Sequence, residues 1–225
     1  MATLLLTKND YNTNKNPRLP ICLCIDTSDN IRRSLLPEIQ NLINSLKNFI
    51  LSDSEYQSKI QLCIICYGAD IKVISDFVSV TNDSNFILEE SKGEPNLNNA
   101  IAKCINLLNS QLLTYAEKGI RFYLPELLIL SSGKTSTDIT EISERLCRAQ
   151  SEKKLCVMPF IVGEESGEQL SSLTDDRVVY SNVNDFGLLF SCLKNSIEQL
   201  SSSSAAACES LKTQTSGWED FNKKR

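Results

Sequence analysis

An apolar run, Leu19-Pro-Ile-Cys-Leu-Cys-Ile25, ends abruptly in Asp26, Thr27, Ser28, Asp29 and Asn30. Asp26, Ser28, Asp29 and Asn30 are oxygen-bearing side chains, the donors that hard divalent cations take. The chemistry these donors suggest is ligation of a hard divalent cation, either in a working site or in the remains of one. Arg32 and Arg33 follow directly and suit an acidic or phosphorylated group. A second polar stretch, Ser132-Gly-Lys-Thr-Ser136, also follows an apolar run and carries half of a phosphate-binding loop. The full loop needs a glycine five positions before Gly133, so that backbone amides can wrap a phosphate. That position is Leu128, inside the run. A nucleotide- or phosphate-processing enzyme is therefore the remoter alternative. Gly133 and Lys134 read instead as a turn that sets a positive charge near Asp26, where it would replace a metal electrostatically.

Composition narrows the chemistry further. The chain has 225 residues, a net charge of −5 and no histidine. Without histidine, the commonest general base and the histidine-activated nucleophiles are missing. The acidic balance disfavours a nucleic-acid partner, which needs a basic face to displace counterions. Nine cysteines make an odd set lying mostly in apolar runs, which predicts buried reduced thiols and a cytoplasmic setting. Cys63-Ile-Ile-Cys66 has zinc or redox spacing, yet on a strand its two side chains point to opposite faces, so core packing is expected. The opening residues lack a basic leader, and no run approaches the ~18 apolar residues of a membrane span.

The elements that position these loops alternate between strand and helix. Strands are predicted over 20–26, 59–67, 71–80, 124–131, 154–163 and 177–181, from short apolar runs bounded by turn residues. Residues 71–80 read as a hairpin partner of the preceding strand, hence an antiparallel edge. Helical spacing links Leu35, Leu36, Ile39, Leu42, Ile43, Leu46 and Phe49, with Ser34 as N-cap and Pro37 in the first turn. Further helices run through Leu97–Leu108, Ile139–Leu146, a short piece at 167–173, and Phe186–Leu200. This order predicts an α/β fold, a doubly wound and mostly parallel sheet with helices on both faces. Ligand chemistry in such sheets lies beyond the carboxyl ends of the strands. Three loops meet there: 26–33, 91–98 and 131–138.

Residues 18–28, 152–163 and 173–176, followed by an amphipathic helix ending in Ser201-Ser-Ser-Ser204, resemble von Willebrand factor A domains. Within that family the likeness is to bacterial TerY-type proteins of the tellurite-resistance and stress-response group. The resemblance implies a Rossmann-like fold over residues 18–204; by composition the polar, Asn/Lys-rich residues 1–17 read as a flexible lead-in and 205–225 as a tail. It also implies a metal-ion-dependent adhesion site built from Asp-x-Ser-x-Ser, a Thr in a second loop and an Asp in a third. Asp26 and Ser28 match that pattern. Asn30 stands for the second Ser, Pro95 for the Thr and Ser132 for the Asp, so the site is degenerate; Asp29, Glu94 or Asp138 would have to supply a missing carboxylate. The resemblance further implies a protein kinase or a metal-dependent protein phosphatase of the same system as partner. Taken together, the chain reads as a non-enzymatic protein-interaction module without cofactor. Its partner surface is Asp26, Ser28, Asp29, Asn30, Arg32, Arg33, Glu94, Ser132 and Lys134, with Trp218 in the tail. The alternative is a working Mg- or Mn-dependent adhesion-type domain. Trp218, the sole tryptophan, docks on a partner or folds back on the domain itself.

Overall fold

The structure, a computed structural model, describes residues 11–31, 33–162, 168–174 and 179–181, together with helical residues 190–191, 194–195 and 197–198. Arg32 and Trp218 lie outside the described residues. Six strands form one sheet: β1 Leu19–Asp26, β2 Ile60–Tyr67, β3 Ile71–Ser79, β4 Glu126–Ser131, β5 Cys156–Val162 and β6 Val179–Ser181. Their order is β3-β2-β1-β4-β5-β6, and every neighbouring pair is parallel except β2 with β3. The doubly wound, mostly parallel sheet with one antiparallel edge strand is thus the architecture expected from the alternation of runs.

Each of β1, β2 and β4 is buried along its whole length, as befits strands covered on both faces. One face is covered by α3, Leu97–Glu117, and α4, Thr140–Ser151; their Ile101, Cys104, Leu108, Ile142 and Leu146 pack on Cys22, Cys24, Cys63 and Ile65. The other face is covered by α1, Leu36–Leu51, whose Ile39, Ile43, Leu46 and Ile50 pack on Leu19, Ile21, Leu23 and Ile25. Odd and even residues of β1 therefore feed two separate cores, the consequence of a side-chain period of two. Cys22, Cys24, Cys63, Cys66 and Cys104 are buried free thiols, while Cys147 and Cys156 are half-buried. Burial is the main force holding the Cys24 thiol protonated well above its ordinary range.

Several boundaries differ from the sequence reading. Ser34 is not an N-cap: Arg33–Leu35 form a 3-10 turn, and α1 starts on Leu36 with Pro37 in its first turn and no side-chain cap. A short α2, Ser54–Lys59, joins α1 to β2, with Asp53 accepting from Glu55 N at 2.7 Å. The fourth strand starts at Glu126, after Pro125, which has no amide to give a ladder. Pro159 is tolerated inside β5 because β6 pairs only with Phe160–Val162. A four-residue α5, Glu168–Ser171, stands within the short helix expected there. Among the described residues, no helix is long and apolar enough to cross a membrane.

Candidate functional site

The strand order reverses direction between β1 and β4, and the carboxyl ends of those two neighbours carry the three loops. In such sheets this is where a crevice opens for a ligand. Asp26 is the last residue of β1 and Ser131 the last of β4, so Ser132 emerges beside Asp26. The two are joined across the reversal point. Ser132 N and Oγ donate to Asp26 Oδ2 at 3.0 and 2.7 Å, and Ser28 N donates to Oδ1 at 3.0 Å. Asp26 is 1% exposed and Ser132 3%. The carboxylate is buried, and both of its oxygens are engaged by the loops themselves.

The remaining contacts lace the loops to each other. Asp29 binds the second loop: its N donates to Gly93 O at 3.3 Å, and its Oδ2 accepts from Gly93 N at 2.9 Å. Gly93 has φ +84, the left-handed region that favours glycine. Ser91 N donates to Thr27 O and Oγ1 at 3.1 and 3.2 Å. The Pro95 carbonyl, in the place where a threonine hydroxyl was sought, accepts from Ser136 N and Oγ, both at 3.2 Å. Asn96 Oδ1 accepts from Asn99 N at 3.1 Å and so caps α3. Gly68, which follows β2, is essential to this packing. A Cβ there would sit 2.0 Å from the Ser91 carbonyl oxygen, so the second loop can approach β2 only over a glycine. Thr27 and Ser91 lie in loops that the sequence placed at the site but were not among its candidate residues, and Gly68, outside those loops, was missed.

The candidate residues therefore fall into distinct groups. Asp26, Ser28 and Ser132 are brought together and buried; Asp29 clamps the second loop and Asn30 closes the first. Asn30 N donates to Ser28 Oγ at 3.3 Å, while its buried Nδ2 meets no partner among the described residues. Arg33, Glu94 and Lys134 are exposed around them. Ser28 and Ser132 supply hydrogen-bond donors to both oxygens of Asp26. Asp138 lies just ahead of α4 and accepts from Thr140 N and Oγ1 at 2.9 and 2.7 Å.

Beside Asp26 in register, Tyr67 is fully buried and its hydroxyl has no hydrogen-bond partner among the described residues. Burial, and then the nearby Asp26 carboxylate, push its pKa well above the ordinary tyrosine range.

Two kinds of chemistry are poorly served by this arrangement. A phosphate cradle needs open amides, yet Ser132 N, Gly133 N and Ser136 N are spent on Asp26, Ser131 Oγ and Pro95 O. A hard divalent cation needs near-octahedral oxygen ligands, usually with carboxylates among them. Here Pro95 offers no side-chain oxygen and the Ser132 hydroxyl donates to the buried Asp26 carboxylate. Among the described residues, no group of three or more His, Cys, Asp or Glu side chains is placed to hold a metal ion. The donor set does not fit the metal of an adhesion-type site.

No protein-family profile and no curated protein matches the chain. Solved structures do. Proximal thread matrix protein 1 from the mussel byssus aligns at TM-score 0.58 and 12% identity, over 82% of this chain and 48% of its own. Manganese-loaded TRAP protein from Plasmodium vivax aligns at TM-score 0.57 and 15% identity, over 81% and 74%. A von Willebrand factor type A protein from Catenulispora acidiphila aligns at TM-score 0.51 and 10% identity, over 81% and 42%. The chain thus spans about half the length of the mussel protein and less of the Catenulispora one. At such identities the likeness concerns architecture, and with the strand order and the site at the β1–β4 reversal it leads to one conclusion: the chain has the fold of a von Willebrand factor A domain.

Proposed function

We propose that the chain is a non-enzymatic protein-interaction module whose three loops bind an acidic or phosphorylated partner protein without a bridging metal. The observation that carries this reading is the buried Asp26 carboxylate, held on both oxygens by Ser28 and Ser132. In a metal-bridged contact, a cation would neutralise that carboxylate and present its own open coordination position to the partner. Here the protein's own donors hydrogen-bond both oxygens of that carboxylate, and the loops are laced into one preorganised surface. Arg33 and Lys134, both exposed at the rim of the loops, then offer donors to an incoming carboxylate or phosphate. The TRAP protein of the same fold is manganese-loaded; at the loop positions matched to the adhesion pattern this chain has Pro95 and Ser132. The resemblance to TerY-type proteins adds a partner class, a kinase or phosphatase in a cytoplasmic bacterial stress-response system.

Affinity capture with the full chain, run with and without a chelator, tests the reading. The same partner should be retained in both conditions and lost with Arg33→Glu plus Lys134→Glu, which reverse exposed charges. Capture abolished by chelator, or unchanged in the charge-reversed variant, would overturn it.

A further inference from the structure

A cleft of about 270 Å3 lies beside the first loop, between the start of α1 and the extended segment that precedes the second loop. Leu36, Pro37 and Leu88 give it an apolar lining. One wall carries Arg33, and the facing wall carries Glu89 and Glu90. The cleft is a built feature. Gln40 ties its two walls together, donating to Phe86 O at 2.7 Å and accepting from Leu88 N at 2.9 Å. On the acidic wall, Lys72 donates to Glu90 O at 2.8 Å and pairs with Glu89 at 3.4 Å, fixing the backbone there.

We propose that this cleft is the docking site for the chain's own C-terminal segment, Gly217–Arg225. Two observations select that occupant. The first is charge order: the segment runs Trp218, Glu219, Asp220, Phe221, Asn222, Lys223, Lys224, Arg225. An aromatic suits the apolar lining, the acidic pair suits Arg33, and the basic trio suits Glu89 and Glu90. The second is reach. Ile197 is buried in the same apolar cluster against which Leu36 and Leu88 pack, so the chain leaves the described residues on the side of the sheet that bears the cleft. A linker of roughly 20 residues, the separation of Glu198 from Trp218, spans about 25 Å as a coil and up to about 65 Å extended. A domain of this size is about 40 Å across, so the cleft is within range. Tethering of this kind supplies an effective concentration of about a millimolar, so contacts too weak to hold a free peptide hold in cis.

Trp218 is the only tryptophan, so its fluorescence in the full chain reports the contact without a label. The assay is acrylamide quenching of the full chain against a free Gly217–Arg225 peptide. An effective concentration about three times the dissociation constant leaves about a quarter of molecules undocked, so quenching should be about fourfold weaker in the protein. Glu89→Lys with Glu90→Lys, both at exposed positions, should raise quenching to the peptide's level. Adding Lys223→Glu and Lys224→Glu to that variant should restore the shielding. Quenching in the wild type equal to the peptide's would overturn the proposal. So would shielding indifferent to the charge reversal, a charge swap that fails to restore it, or shielding that grows with protein concentration and so belongs to a second copy. The fluorescence readout does not depend on any partner, so its failure and the failure of the proposed interaction role are separable.

Discussion

Replacing Ser132 by alanine removes one hydrogen bond and very little else. The lost contact is the Ser132 Oγ donation to Asp26 Oδ2 at 2.7 Å, between two residues 3% and 1% exposed. Water cannot readily take the hydroxyl's place, and the carboxylate keeps only the amides of Ser132 and Ser28. A hydrogen bond to a charged group contributes about 1.5–3 kcal/mol, so the variant should lose about 2 kcal/mol of unfolding free energy. For a domain of this size that is a fall of about 4–8 °C in Tm. Ser136→Ala is the control: it deletes a hydroxyl from the same loop, but an exposed one bonded to the Pro95 carbonyl, and should cost about 0.5 kcal/mol or less. In a cycle with Asp26→Ala, the loss at Ser132 should largely disappear, a coupling of about 1 kcal/mol or more. Urea melts of the four proteins of the cycle provide the readout. A neutral Ser132→Ala, or a loss that simply adds to that of Asp26→Ala, would refute the claim that Ser132 compensates the buried carboxylate.

Two further predictions concern the frame of the site. Gly68→Ala drives a Cβ to 2.0 Å from the Ser91 carbonyl oxygen and should cost about 3 kcal/mol, with the second loop displaced; Gly119→Ala, at φ +64 with open space around it, should cost only about 1 kcal/mol in the same urea melts. Equal costs would remove the close-approach explanation. Stability should also fall at alkaline pH. Burial first, with Asp26 beside Tyr67 and Tyr11 beside Tyr115, raises both phenols well above their unfolded value of about 10. Below that value their contribution is intact; above it the unfolded chain releases protons that the folded one keeps, so stability drops as pH rises, by about 1.4 kcal/mol per pH unit for each phenol. Tyr67→Phe should reduce the slope by about one proton, and an unchanged slope would mean that Tyr67 ionises freely in the fold.

The fold was legible because buried parallel strands announce themselves as short apolar runs, as in Ile60–Tyr67, and the edge strand as a mixed one, Ile71–Ser79. Local hydrogen bonding was harder to read. Ser34 has the right chemistry for an N-cap, but the chain enters α1 through a 3-10 turn. Six residues were too few for α2 to show a period. At the site, residue types told which ligands were missing but not what the survivors do. Ser132 looked like a lost carboxylate and is a donor to Asp26; Asp29 looked like a spare ligand and is a clamp on Gly93. Those roles depend on which loops face each other across the β1–β4 reversal, a fact of three dimensions that no spacing along the chain encodes.

The central claim, that Asp26 is satisfied by the protein's own donors and recruits no cation, is tested most directly by thermal unfolding of the full chain with excess Mn or Mg against chelator. A ligand at about a hundred times its dissociation constant adds about 2.7 kcal/mol to folded-state stability, a readily measured rise of about 5–10 °C. The account predicts coincident melts in all three conditions, for wild type and for Asp26→Ala alike. A metal-dependent rise in the wild-type Tm that disappears in Asp26→Ala would contradict it.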